Sequence, residues 1–142
     1  MDSTLRCAEA VISSAIKNEG GEAESIKYSL PAEYAFSGTN AEIRYRENTD
    51  GGEVSTVITV EGGSVRVVRT GEVNSDIILS EGREHKSLYS VGAFSFDMSV
   101  AAKKIRSGLC ESGGRLDILY KMTVGGAEKD VHLGIRIRVD SK

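Results

Sequence analysis

Apolar and polar residues alternate along most of the chain with the two-residue period of a half-buried β-strand. The clearest segment covers residues 131–139, where nearly every second residue is a large aliphatic one. Successive strand side chains point to opposite faces, so one face of this strand is predicted to lie in a core that includes Ile135. Residues 116–124 alternate in the same way, and Gly125-Gly126 separates the two segments. This arrangement predicts a β-hairpin.

The same pattern continues upstream. Residues 54–60 and 65–70 alternate on either side of Gly62-Gly63, which predicts a second hairpin with Val65 inside. Phe94, Phe96 and Met98 share one face of a further strand. The remaining strands are predicted at residues 33–36, 43–47, 73–80, 85–91 and 94–100.

The segment near the N-terminus fits two structures. Its apolar residues from Ala8 to Ile16 have the spacing of an amphipathic helix that Gly20-Gly21 would end. A strand with Ile12 and Ile16 on one face fits the same short run. The period alone leaves both open.

These elements predict an all-β fold. The chain has 142 residues, 16 glycines and one proline, which suits a single domain over residues 1–142 built from short strands and tight turns. Nine or ten antiparallel strands at short spacing are typical of a sandwich or a barrel. A closed barrel is favoured because closure removes the exposed strand edges.

Charge and composition exclude several classes of protein. The net charge is −3 without a basic stripe, so no nucleic-acid partner is expected. No apolar run exceeds three residues and residues 1–6 do not resemble a leader, so no membrane partner or signal peptide is expected. Cys7 and Cys110 are interpreted as free thiols, and a cytoplasmic location follows.

The order of the strand motifs resembles the YwiB-like family of uncharacterised bacterial proteins with a calycin-type, lipocalin-like β-barrel. The resemblance implies an up-and-down barrel of about eight to ten strands, an intracellular bacterial protein of unknown activity, and a first strand over residues 9–18. The matching motifs are Tyr45-Arg46-Glu47, Val57-Ile58-Thr59-Val60, Arg69-Thr70-Gly71, Ser75, Glu81-Gly82, Tyr89, Gly92, Gly113-Gly114-Arg115-Leu116, Tyr120 and Leu133-Gly134-Ile135-Arg136-Ile137.

Several polar residues are predicted to face into the barrel. Arg69 continues the inward face of its strand near one end, and its guanidinium matches a carboxylate or phosphate with two hydrogen bonds. Together these residues predict a site for a small anionic or amphipathic ligand. The competing interpretation is that Arg69 simply pairs with Glu47 and plugs the barrel end, since a buried charge must be paired and such pairs are common without a ligand. The other candidate ligand-binding residues are Tyr45, Glu47, Tyr89 and Tyr120.

The sequence also leaves a second function open. A filled barrel could act as a protein-interaction or structural module, through an outer surface that includes Leu119, Val57 or Val68, or as a homo-oligomer. An enzyme is not expected, because no catalytic motif such as Gly-x-Ser-x-Gly occurs. No cofactor or metal ion is expected either, since His85 and His132 are far apart and lack the ligand spacing of a zinc site.

Overall fold

The computed structural model describes residues 5–18 and 20–140, and these residues form ten β-strands. The expectation about a leader falls largely on residues 1–4, outside the described residues. Within the described ranges, no helix is long and apolar enough to cross a membrane. The strands are β1 (Arg6–Asn18), β2 (Ala23–Ser37), β3 (Asn40–Thr49), β4 (Gly52–Glu61), β5 (Ser64–Gly71), β6 (Val73–Leu79), β7 (Glu84–Val91), β8 (Phe94–Cys110), β9 (Gly113–Val124) and β10 (Ala127–Val139).

The strands close into one up-and-down antiparallel barrel. Each strand pairs with the next along the chain, and β1 pairs with β10 to complete the ring. The predicted hairpins β4–β5 and β9–β10 are both present, with turns at Gly62-Gly63 and Gly125-Gly126. All four of these glycines have positive φ angles, which tight hairpin turns require. The predicted all-β barrel is therefore confirmed.

The two-residue rhythm decides which side chains enter the core. Val65 and Ile135 are fully buried, as the sequence predicted. Large aliphatic side chains from facing strands fill the middle of the barrel, so it is a packed core rather than a channel. The largest fully buried side chains are Tyr34, Ile43, Ile58, Leu79, Leu116, Ile118, Ile135, Val54, Val65, Val100 and Thr56.

The N-terminal segment is a strand, and the helical interpretation of its spacing is wrong. β1 pairs with β2 on one side and with β10 on the other. Ala8, Ala10 and Ile12 enter the core at two-residue spacing, while Val11 and Ser13 are only partly buried on the outer face. Ladder hydrogen bonds on both sides outweigh the weak helical period of a short run.

Two strands, β2 and β8, are much longer than predicted, and there is a physical reason why the sequence pattern did not show their full length. β8 continues beyond residue 100 to Cys110, and a β-bulge between Ala102 and Lys104 shifts its register against β9. The shift moves the inward positions from even to odd numbers, which hides the alternation in the sequence. The first half of β2 pairs with β1 but not with β3, so it buries almost nothing and shows no apolar pattern.

Gly71 ends β5 at a point where the backbones of β4 and β5 come very close. Its φ angle is +115°, and a Cβ atom there would lie 2.2 Å from the carbonyl oxygen of Glu53. Only glycine tolerates both conditions. This close approach fixes the end of β5, two residues after Arg69.

We expect Ile43→Ala to lower the free energy of unfolding by about 2–5 kcal/mol, because it leaves a cavity in a packed core. The matched control is Ile78→Ala on the exposed outer face of β6, which should cost less than about 1 kcal/mol. Urea denaturation followed by circular dichroism measures both changes. Equal losses for the two variants would contradict the inward direction of Ile43.

Candidate functional site

The candidate site lies at one end of the barrel, called the mouth below. At the mouth, β1, β3, β5, β7 and β9 end and the strand that follows each of them begins. The β7–β8 turn and the β9–β10 turn therefore belong to the same rim. Any side chain that faces inward near these turns points into a common space.

Arg69 lies in an inward row of residues that crosses four strands near the mouth. Tyr45 on β3 pairs with Thr56 on β4, Thr56 pairs with Arg69 on β5, and Arg69 pairs with Ser75 on β6. Because directly paired residues of an antiparallel sheet point to the same face, these four side chains form one polar strip on the inner wall. Tyr45 and Arg69 both face inward, as predicted, and they lie in the same row.

Glu47 connects this strip to β2. Its Oε2 atom accepts a hydrogen bond from the Tyr28 hydroxyl at 2.7 Å. Its Oε1 atom lies 4.0 Å from Arg69 Nη2, which is a long ion pair. The side chains of Arg69 and Glu47 are 33% and 19% exposed, so both are largely withdrawn from water. Among the described residues, the Arg69 side chain donates no hydrogen bond.

Three tyrosines around this pair have raised pKa values. Burial, followed by the hydrogen bond to Glu47, raises the pKa of Tyr28 well above its ordinary value. Burial is also the main cause that raises the pKa of Tyr45 and of Tyr120 to about 12. The Arg69 charge lowers all three pKa values in part, so β9 contributes Tyr120 to the surroundings of the same cation.

The Thr56 hydroxyl is the least satisfied polar group of the cluster. Its residue is only 1% exposed, and Oγ1 makes no hydrogen bond of normal geometry with any described residue. The hydroxyl lies close enough to Tyr45 to lower the pKa of that phenol slightly. A buried hydroxyl without a partner is uncommon, because leaving it unpaired costs free energy.

Three of the five predicted site residues, Arg69, Tyr45 and Glu47, therefore lie together, and the pKa of a fourth, Tyr120, is affected by the Arg69 charge. Tyr89 also faces inward at the mouth, where it lies opposite Phe96 across the β7–β8 hairpin and packs against the edge of the core. Among the described residues, no hydrogen bond joins Tyr89 to the other four, and β6 separates its strand from β5.

Sequence reasoning missed two residues of the mouth. Tyr28 lies in the first half of β2, where the exposed flanking residues gave no alternating signal. Lys129 lies on β10 opposite Met122 and is turned inward by its register. The alternation of residues 131–139, extended by one step toward the N-terminus, would have placed Lys129 on the inner face.

Phe94 and Phe96 share the inward face of β8 with Met98, as predicted, but only Met98 is buried. Met98 and Ile137 help to fill the barrel, and Tyr120 lies at the edge of that core. Phe94 is 70% exposed and Phe96 is 43% exposed. Both rings therefore present part of their apolar surface to water at the rim of the mouth.

The two histidines lie apart from this cluster. His132 faces outward on β10, with Nε2 3.2 Å from Asp117 Oδ1. His85 faces inward on β7 opposite Val100, and its buried Nε2 has no partner among the described residues. Within the described part of the chain, no three His, Cys, Asp or Glu side chains gather as a metal ion would need. Both cysteines are free thiols.

The opposite end of the barrel has a different character. A cleft of about 500 Å³ there is lined mainly by small and apolar residues, including Phe36, Val60 and Leu109. Its carboxylate, that of Glu81, accepts a hydrogen bond at 2.7 Å from the backbone N–H of Ile105, just after the bulge in β8. Because this acid already stabilises the bulge, the mouth remains the stronger candidate site.

The raised tyrosine pKa values predict a loss of stability at high pH. The unfolded chain loses its tyrosine protons near pH 10, whereas Tyr45 and Tyr120 keep theirs to about pH 12 in the folded state. Stability should therefore fall as the pH rises from about 10 to 12, with a slope of up to about 1.4 kcal/mol per pH unit for each of the two.

Absorbance of the tyrosinate ion at 295 nm measures the tyrosine pKa values, and denaturation at each pH measures the free energy of unfolding. Tyr45→Phe should remove one high-pH step and reduce the slope. Ionisation of all five tyrosines near pH 10 in the folded protein would contradict the burial of this cluster.

Comparisons with known proteins agree with the resemblance noted in the sequence. The chain is 28% identical over 121 residues to an uncharacterised β-barrel protein, YwiB of Bacillus subtilis (strain 168), which covers 85% of this chain and 84% of that protein. The crystal structure of the ywiB protein from Bacillus subtilis superposes with a TM-score of 0.88 at 24% identity, covering 98% of this chain and 96% of that one, so the two share a fold. A family model described as a domain of unknown function, DUF1934, matches residues 11–135. The chain therefore belongs to the DUF1934 family, with YwiB among its relatives.

Proposed function

We propose that the mouth of this barrel binds a small anionic or amphipathic molecule. The observation that carries the proposal is the state of Arg69. Its side chain is two-thirds withdrawn from water, yet its ion pair with Glu47 is 4.0 Å long and the guanidinium donates no hydrogen bond to any described residue.

This arrangement favours binding over a plug of the barrel end. A guanidinium has five N–H donors in a planar fork, and a structural plug would normally use several of them in short bonds to its carboxylate. Glu47 instead accepts a short hydrogen bond, 2.7 Å, from the hydroxyl of Tyr28. The donors of Arg69 therefore remain available to a carboxylate, sulfonate or phosphate oxygen of a ligand.

The surroundings of Arg69 also suit an anion. Tyr45 and Tyr120 are protonated at neutral pH, and burial raises their pKa values further, to about 12. A protonated phenol can donate a hydrogen bond to a bound anion without repelling it. The Thr56 hydroxyl, which makes no hydrogen bond of normal geometry and lies near the Tyr45 phenol, offers one more donor on the same strip.

The ligand is confined to the mouth. Below the polar strip, side chains such as Ile43, Ile58 and Leu116 fill the interior completely. A long molecule running through the barrel would have to displace this packed core, at a cost far larger than the gain. Binding at the mouth requires no such change.

The alternative remains an interaction or structural module that acts through the outer surface or as a homo-oligomer. It is supported by Leu119, Leu88 and Ile78, which face outward and are exposed on β9, β7 and β6, whereas Val57 and Val68 are partly covered. Size-exclusion chromatography with light scattering tests the oligomer directly, and a monomer at micromolar concentration would count against it.

The proposal includes a cellular location, a source and a fold description for the protein. Two free, exposed thiols are typical of a reducing compartment, which supports the cytoplasm of a bacterium. The relative from Bacillus subtilis supports a bacterial source. A closed up-and-down barrel with a polar mouth also supports the calycin-type, lipocalin-like description, since lipocalins are up-and-down barrels that can hold a small ligand.

Arg69→Gln should weaken binding of benzoate at least tenfold, because a hydrogen bond to a charged group contributes about 1.5–3 kcal/mol. NMR titration of ¹⁵N-labelled protein with benzoate measures the affinity and should shift the Arg69 Nε–H signal. The matched control is Arg66→Gln on the outer face of the same strand, where Arg66 Nη2 pairs with Asp76 at 2.6 Å.

Since Arg69→Gln leaves Glu47 without its cation, the double variant Glu47→Gln/Arg69→Gln separates loss of binding from loss of stability. It should fold and still fail to bind. Unchanged benzoate affinity in Arg69→Gln, or no binding by the unaltered protein, refutes the proposal.

Thr56→Val should weaken benzoate binding without lowering the stability of the protein. Removing a buried hydroxyl that has no partner should leave the free energy of unfolding unchanged or raise it by about 1 kcal/mol. Benzoate affinity should fall severalfold if the hydroxyl donates to the ligand. Thr59→Val, on the outer face of β4, is the control for both measurements, and a loss of stability in Thr56→Val alone would indicate a structural bond instead.

A further inference from the structure

Two aromatic rings on β8 are only partly covered at the mouth of the barrel. Phe94 and Phe96 lie on the inward face of β8, in line with the buried Met98, yet they are among the most exposed large apolar residues described. The pairing of the neighbouring strand explains this exposure. β9 ends opposite Met98, so the two phenylalanines extend one step beyond the wall that β9 provides.

The β7–β8 hairpin is nevertheless held in place at the rim. On one side, the backbone N–H of Gly92 donates to the carbonyl of Glu72 at 3.3 Å. On the other side, the N–H of Gly125 donates to the carbonyl of Asp97 at 3.4 Å. The hairpin tip therefore extends the barrel wall, and its inward rings face the space above the mouth.

These rings belong to the same end of the barrel as Arg69. Ser75, the partner of Arg69, lies on β6 two residues after Val73, which pairs with Val91 on β7. Val91 in turn pairs with Phe94, and Tyr89 pairs with Phe96. Inward-facing residues of β6 and β7 therefore connect Arg69 on β5 to Phe94 and Phe96 on β8.

The mouth therefore has two chemically different parts. The lower part contains Arg69, the tyrosine hydroxyls and the unpartnered hydroxyl of Thr56, and the upper part contains Phe94 and Phe96. Glu47 lies beside Arg69, so its carboxylate would repel a second negative charge placed at the guanidinium, while the other inward cation of the mouth, Lys129, lies on β10. This combination favours one negative charge on an apolar body.

We propose that the ligand is a monoanionic amphiphile whose acidic head contacts Arg69 and whose hydrocarbon or aromatic body covers Phe94 and Phe96. This inference rests on the proposed function, because it narrows the class of molecule that binds at the same mouth. The apolar body removes the two rings from water, and the head satisfies the guanidinium. The structure thus assigns Phe94 and Phe96 to ligand selectivity.

A series of straight-chain carboxylates from propanoate to decanoate tests the inference by calorimetric titration of the full chain, below the micelle concentration of each compound. Affinity should rise about two- to fourfold for each added methylene group that reaches the rings. Decanol, which lacks the charge, and decylammonium, which reverses it, should each bind at least tenfold more weakly than decanoate.

The variant Phe94→Ala/Phe96→Ala should lose the dependence on chain length while keeping the weak binding of propanoate. Both residues are exposed, so the variant should fold, and circular dichroism checks this. Leu88→Ala is the matched control, because Leu88 is an exposed residue on the outer face of the same hairpin. It should bind decanoate as the unaltered protein does.

The outcomes separate the two proposals. Propanoate binding that needs Arg69, without any gain from longer chains or any effect of Phe94→Ala/Phe96→Ala, overturns this inference and leaves the anion site standing. Stronger binding of an inorganic phosphate dianion than of decanoate also overturns it. Failure of every carboxylate to bind overturns both proposals.

Discussion

Pairing between the first and last strands is the constraint on which the rest of the molecule depends. β1 and β10 pair from Ala8 with Val139 to Asn18 with Lys129. Without this ladder, both strands would leave long edges of unpaired N–H and C=O groups in water, which invite association with other chains. With it, every strand has neighbours on both sides and the aliphatic side chains face one another across a dry interior.

Closure also creates the polar cluster at the mouth. The strip formed by Tyr45, Thr56 and Arg69 lies on one wall, and Tyr120 lies on β9, beyond β6, β7 and β8 in strand order. An open sheet would leave these groups in water, where the Arg69 charge would have little effect on Tyr120. Inside the barrel the Arg69 charge lowers the pKa of that phenol in part, because a charge acts more strongly in a buried, less polar environment.

The cluster is unusual within so apolar an interior. Burying a guanidinium and a carboxylate costs desolvation energy that a long ion pair repays poorly. Aliphatic residues at the same positions would close the barrel end without this desolvation cost. Phe94 and Phe96 at the same rim also leave apolar surface in water. The proposed ligand would account for both the polar strip and the exposed rings.

Much of this arrangement could be predicted from local pattern. Alternation identified the hairpins β4–β5 and β9–β10 and placed Arg69, Glu47 and Tyr120 on inner faces, because side-chain direction in a strand depends only on odd or even position. The same reasoning failed at β8, where the bulge between Ala102 and Lys104 reverses odd and even. It also failed at the first half of β2, which buries too little to show a pattern.

The sequence by itself therefore determined the strands, their turns and the inward or outward direction of most side chains, since these follow from neighbours a few residues apart. Only the tertiary structure decided which strands close the ring, how far β8 extends past β9, and that Tyr28 reaches Glu47. Those features depend on register between residues distant in the chain, and register is set by the packing of all the strands together rather than by any one segment.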